Sequence, residues 1–113
     1  MYMSKADEMQ KGTSDPVNET MKAAVLRNFF AADGRLAQIP AQYKKKLIAM
    51  QHLVEKLEPG RRYTEKEINA FIQQFHDDYA TIRREFIIHR YMSRDNDIYE
   101  MNPRDQWTKW EQV

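Results

Sequence analysis

Two amphipathic helical patterns stand almost back to back between Thr64 and His89, and that spacing constrains the fold more than any other feature. The stretch "YTEKEINAFIQQF" opens with Thr64 and carries Glu67 three residues later, the reciprocal capping pattern that starts a helix. Ile68, Phe71, Ile72 and Phe75 then recur at three- and four-residue steps, which predicts a helix over about 65–75. "HDD" interrupts, with Asp77 or Asp78 as the next N-cap, and Tyr79, Ile82, Phe86 and Ile87 stripe a second helix to about residue 89. A gap this short matches a helix-turn-helix, whose second helix presents its outer face to the DNA major groove. Downstream, "YMSRDNDIYEM" reads as a strand over about 91–94, a polar Asp95-Asn96-Asp97 turn and a strand over about 98–101. That hairpin is the expected wing, spanning about 91–101, and Tyr63 is placed to add a brief third strand.

Upstream, Met21, Val25, Leu26, Phe29 and Phe30 form one apolar stripe over about 17–31. "ADGRLAQIP" follows as a structured connector, in which Asp33-Gly34 is turn chemistry and Leu36 and Ile39 tuck underneath. A helix over about 41–57 places Tyr43, Leu47, Met50, Val54 and Leu57 on one face, and "EPGRR" stops it. Residues 1–16 are polar and aperiodic, the expectation being a flexible tail. The domain proper is expected over 17–102. Residues 103–113 form a tail or short helix with Trp107 and Trp110 three apart, aligned if helical, to cover the core or meet a partner. The fold class expected is therefore mainly α with a small β-hairpin, a winged helix-turn-helix with an added N-terminal helix.

Composition narrows the chemistry. At 113 residues, 42% hydrophobic, the chain suits one domain with one modest core. Without cysteine there is no disulfide framework and no thiolate ligand or nucleophile, and the natural setting is a reducing cytoplasm. No apolar run approaches the roughly 20 residues that cross a bilayer, so no membrane partner is expected. No nucleophile motif, phosphate loop or pair of catalytic carboxylates is found, which argues against an enzyme and against any cofactor. His76-Asp77-Asp78 has no second ligand cluster to close around a metal, and His52 and His89 lack a sequence-apparent acid/base partner.

The motifs "FFAADGRLAQIPAQYKKKL", "EPGRRYTEKEIN" and "DDYATIRREF" resemble an uncharacterised bacterial family, domain of unknown function 2087, from about residue 26 to 101. The family's signature falls on Asp33, Gly34, Arg35, Leu36, Ile39, Pro40, Tyr63, Thr64, Glu65, Glu67, Asn69, Asp78, Arg83, Arg84 and Glu85. Its members occur alone or behind an ArsR-type helix-turn-helix, so the resemblance implies a regulatory context and leaves the biochemistry open. No ArsR-type domain is expected before residue 17 here. If the family's DNA contact lies in that other domain, this chain lacks it.

The net charge of +1 is unevenly spread: residues 35–62 carry seven Lys/Arg against two Asp/Glu, and residues 95–113 carry two against five. The expected function is a DNA-binding transcriptional regulator, with double-stranded DNA as partner and a recognition helix over about 78–89. Arg83 and Arg84 are the leading contacts, because a guanidinium can grip a guanine edge or pin a phosphate. Thr81 lies on the same outer face, while Lys44, Lys45, Arg61, Arg62 and Arg94 are candidate phosphate contacts. Against them, Asp77 and Asp78 sit where phosphates would approach, so at least one must act as a cap or pair with an arginine. A homodimer through the first helix or the tryptophans is the expected route to useful affinity. The rival is a protein-interaction module of the same fold without DNA affinity, and the two separate on whether Arg61, Arg62, Arg83, Arg84 and Arg94 share one positive face.

Overall fold

In the computed structural model, residues 16–113 are described; the tail expected over 1–16 lies outside them except for Pro16. Helix α1 runs Pro16–Phe29 and α2 Tyr43–Val54. Strand β1, Arg62–Thr64, leads directly into α3, Glu65–Gln73, and α4 spans Tyr79–Ile88. Strands β2, Met92–Asp95, and β3, Ile98–Met101, close the order, followed by short 3-10 turns at Arg104–Gln106 and Trp110–Gln112. The fold is mainly helical with one small antiparallel sheet ordered β1-β3-β2. No helix among the described residues is long and apolar enough to cross a membrane.

Local chemistry sets the boundaries. Both halves of the capping box form: Thr64 Oγ1 accepts from the Glu67 amide at 3.1 Å, and Glu67 Oε1 accepts from the Thr64 amide at 2.8 Å. Asp78 caps α4 by accepting from the Thr81 amide at 3.3 Å. Hydrogen bonds from Thr81, its side chain first and then its backbone, hold the Asp78 carboxyl below the usual carboxylate range. The hairpin turns on Asn96 and Asp97, with φ of 52° and 63°, the paired left-handed conformations of a tight hairpin turn that Asn and Asp tolerate. Tyr63 does supply the third strand, opposite Tyr99.

Helix α2 is buried on more than the one face its periodicity indicates. Leu47, Ile48, Ala49 and Met50 are all buried in succession. Ala49, Met50, Leu53 and Val54 face the main core, with Ile68 and Ile72 of α3, Ile82 and Phe86 of α4, and Tyr63, Tyr91, Met92 and Tyr99 around the sheet. Leu47 and Ile48 face a second cluster with Val25 of α1 and Trp110. Tyr43, expected on the apolar face, is instead 46% exposed and meets His89 edge-on at 5.6 Å. The connector is structured as expected: Leu36 is buried, and its amide donates to the Phe75 carbonyl at 2.8 Å.

The two tryptophans do not share a helical face, because the segment forms two separate 3-10 turns. Trp107 enters the main core, where its indole N–H donates to the Asn102 carbonyl at 2.9 Å and its ring meets Tyr91 edge-on at 5.3 Å. Trp110 enters the cluster under α1. Both are buried, so neither is free to form the dimer or partner contact considered for them.

Two stability measurements check this packing. Replacing Trp110 by Ala should lower unfolding free energy by about 3 kcal/mol, the lower part of the range for emptying a large aromatic site; an unchanged denaturation midpoint would mean the ring is not packed. His52 packs edge-on to Phe30 at 4.8 Å, and burial, then Lys56, pushes its imidazolium pKa below the ordinary 6.5. Below pH 6.5 the unfolded chain therefore binds the proton before the folded one does, and stability falls as pH drops through that window. Chemical denaturation of His52→Phe across the same window should show a flatter pH dependence than the wild type.

Candidate nucleic-acid interface

Outside the main core, α3, α4 and the hairpin present one surface, and most of its arginines are already engaged there. Arg83, half-buried with its side chain 22% exposed, donates from Nη1 to Asn69 Oδ1 and lies with Nε 3.9 Å from Glu65 Oε1. It ties α4 to α3. The same Glu65 oxygen accepts from the Tyr99 hydroxyl at 2.8 Å and stands 3.9 Å from Arg94, so one carboxylate links α3, α4 and the hairpin. Arg94 also pairs with Asp97, and that hydrogen bond first of all strengthens its hold on the proton.

At the start of β1, Arg61 pairs with Glu58 at 3.1 Å, approaches Glu67 at 3.9 Å and lies over the Tyr63 ring at 4.7 Å. Arg62 is 78% exposed and sits 3.5 Å from Glu100, its cross-strand neighbour in β3. Arg84 differs: it is exposed on α4 and makes no hydrogen bond or ion pair with the described residues. Thr81 lies one turn earlier and partly buried, its amide committed to the Asp78 cap.

The aspartates flanking the α3–α4 turn have the two fates expected for them. Asp78 is the cap of α4, while Asp77 pairs with an arginine from the connector, Arg35, at 3.1 Å. Arg35 also donates to the carbonyls of Gln73 and Gln74, each at 3.1 Å, and so satisfies the end of α3. Its position in the chain gave no sign of this, because its partners lie about forty residues away.

Lys44 and Lys45 are not part of that surface. Lys44 stands over the Trp110 ring at 5.9 Å, and Lys45 borders a groove along α1. Both are partly buried at the start of α2, where no carboxylate occupies the first turn. Lys46 turns the other way and meets Glu85 at 3.3 Å; Glu85 in turn lies 2.7 Å from His89 Nε2. Glu85 thus pairs with a lysine of the neighbouring helix α2. The four-residue Glu85-to-His89 spacing was the readable sign of the second contact.

The five arginines therefore do not make one uninterrupted positive face. Glu58, Glu65, Glu67, Asp97 and Glu100 lie among them. Residues 63–101 hold five Lys/Arg and eight Asp/Glu, so this part of the molecule is net acidic. Among the described residues no cluster of three or more acidic, histidine or cysteine side chains could hold a metal ion.

Arg83→Ala should cost about 1–2 kcal/mol in chemical denaturation, because it strips a partly buried hydrogen bond from Asn69. Arg84→Ala should stay within about 0.5 kcal/mol of the wild type. Equal costs would remove the distinction between a bridging and a free arginine.

No curated protein and no solved structure matches the chain. A family model does, over residues 35–101, from the arginine that closes α3 to the end of β3. The matched span takes in α2, α3, α4 and the whole sheet, and the chain belongs to this family of uncharacterised proteins conserved in bacteria, DUF2087.

Proposed function

We propose that the chain is a winged helix that works as a non-enzymatic regulatory module, docking a protein partner through α1 and having no DNA affinity of its own. The element order supports a winged helix: helix, short strand, helix, turn, helix, hairpin, with the short strand paired to the returning strand of the hairpin, which is central in the order β1-β3-β2. The observation that carries the regulatory reading is the set of carboxylates on Arg61, Arg62, Arg83 and Arg94. A phosphate approaching that face would have to displace them and meet a net acidic surface.

The partner-facing surface is the open side of α1. A groove of about 490 Å³ runs along Val17, Met21, Ala24, Asn28 and Phe29, with Lys45 of α2 beside it. Val17 is 74% exposed. Positions 17, 21, 24 and 28 follow the four-three-four spacing of a helix seam, and Ala24 leaves room for close approach. The fitting occupant is an amphipathic helix of a partner protein with an acidic residue at its flank, because Lys45 supplies the complementary charge.

Direct DNA binding is the second reading, favoured by Arg84, which is exposed on the outer face of α4 and makes no ion pair among the described residues. Fluorescence anisotropy of mixed duplex DNA across a salt series separates the two. The module reading expects no binding at low salt, with the wild type and Arg84→Ala indistinguishable; affinity that falls steeply with salt and weakens in Arg84→Ala overturns it. For the docking surface, a photoreactive side chain in place of Val17 should cross-link a partner protein in cells, and Lys45→Glu should abolish the cross-link. Cross-linking to a second copy, with a dimer by light scattering, would make the groove a self-association face and sink the heterologous partner.

A further inference from the structure

A second opening, about 600 Å³, lies beside the start of α2, between the end of α4 and the C-terminal segment. His89 lines it with a side chain only 8% exposed. Its Nε2 is 2.7 Å from Glu85 Oε1, and Lys46 Nζ reaches the same oxygen at 3.3 Å. With Nε2 engaged by that carboxylate, Nδ1 is the ring nitrogen left over, an acceptor in the tautomer whose Nε2–H donates to Glu85. Nδ1 has no hydrogen-bond partner among the described residues. An acceptor this buried and unpaired is costly to keep, and it borders an opening large enough for a small molecule.

The other walls supply complementary chemistry. Arg90 has φ of 66°, uncommon for a residue with a side chain, and Asn102 fixes it by donating from Nδ2 to the Arg90 carbonyl at 3.0 Å. Its guanidinium makes no ion pair with the described residues. Asp105 faces the same opening from the C-terminal segment. Tyr43 and Ile88, two of the few large hydrophobic side chains left exposed, form its apolar lip, Ile88 being 56% exposed. The lining thus combines the Arg90 guanidinium, one carboxylate, one buried acceptor and one apolar wall, while its other cation, Lys109, is engaged with the carbonyls of Arg104 and Trp107.

We propose that this cleft binds a small apolar α-amino acid, its carboxylate on Arg90, its ammonium between His89 Nδ1 and Asp105, and its side chain against Tyr43 and Ile88. Every charged or donor group of such a zwitterion then has a partner in the cleft, and the unpaired imidazole nitrogen acquires one. The site shares no lining residue with the α1 groove, and it stands or falls apart from the docking reading.

Isothermal titration calorimetry on the full chain tests it with L-leucine and L-phenylalanine as probes. L-leucinamide and N-acetyl-L-leucine, which lack the carboxylate and the ammonium in turn, are the controls, with the matching phenylalanine derivatives beside them. At least one free amino acid should bind with saturation, and both of its blocked derivatives should bind at least about tenfold more weakly, the effect of removing a charge-assisted contact. Arg90→Asn should weaken binding by a similar factor, since asparagine tolerates the left-handed backbone and leaves the fold in place. Asp105→Asn, on an exposed position, provides an independent check from the other wall. Absence of saturation by either amino acid up to about 10 mM, an affinity weaker than ordinary effector binding, overturns the proposal. So does binding that neither blocking group nor either substitution affects.

Discussion

Everything in this molecule hangs on α2, a helix that is hidden on two sides at once. A helix with a single apolar stripe can lie on the surface of a core; one that buries Leu47, Ile48, Ala49 and Met50 in succession must have neighbours nearly all round. Tyr91 marks how deeply it is held. Its hydroxyl donates to the Leu47 carbonyl at 3.1 Å, a side-chain bond across forty-four positions, and burial keeps the phenol protonated far above the ordinary range. The main core, the cluster under α1 and the polar cleft at the end of α4 are all arranged around this one element.

Ion pairs then fix how the other helices sit, and their depth decides what they contribute. Arg83 reaches across from α4 to Asn69 and Glu65 in a partly buried setting, so it positions two helices. The pairs of Arg61 and Arg62 are open to water and contribute little to stability. Their effect is on the field the surface presents: they make the face formed by α3, α4 and the hairpin a mosaic of charges and deprive an approaching polyanion of a clear attractive target.

How much was legible in the sequence followed from the range of the interactions. The Thr64–Glu67 box, the Asp78 cap and the Asn96-Asp97 turn act within a few residues, so pattern alone located α3, α4 and the hairpin. The breadth of burial on α2 was not visible, because Ile48 and Ala49 lie off the stripe, Ile48 packed with Val25 and Trp110 from opposite ends of the chain and Ala49 within the main core. Trp107 and Trp110 were ambiguous for a related reason: 3-10 turns of three residues carry no periodicity that could say where a side chain points. At the candidate interface the residue types were readable and their partners were not. Arg35 meeting Asp77, and Lys46 meeting Glu85, join residues about forty apart, and no local rule links them.

Division of the interior into two clusters gives the molecule a built-in seam. The cluster of Val25, Leu47, Ile48 and Trp110 is small and is joined to the main core through the body of α2, Phe29 at the end of α1 and the short run between Trp107 and Trp110. Loss of α1 and Trp110 would bare one flank of α2 while the sheet, α3 and α4 remained closed on the other. The first helix is in that sense a shutter, and local opening there would cost less than global unfolding. Opening there would also reach the cleft beside His89, because Lys109 and Gln112 in its wall flank Trp110.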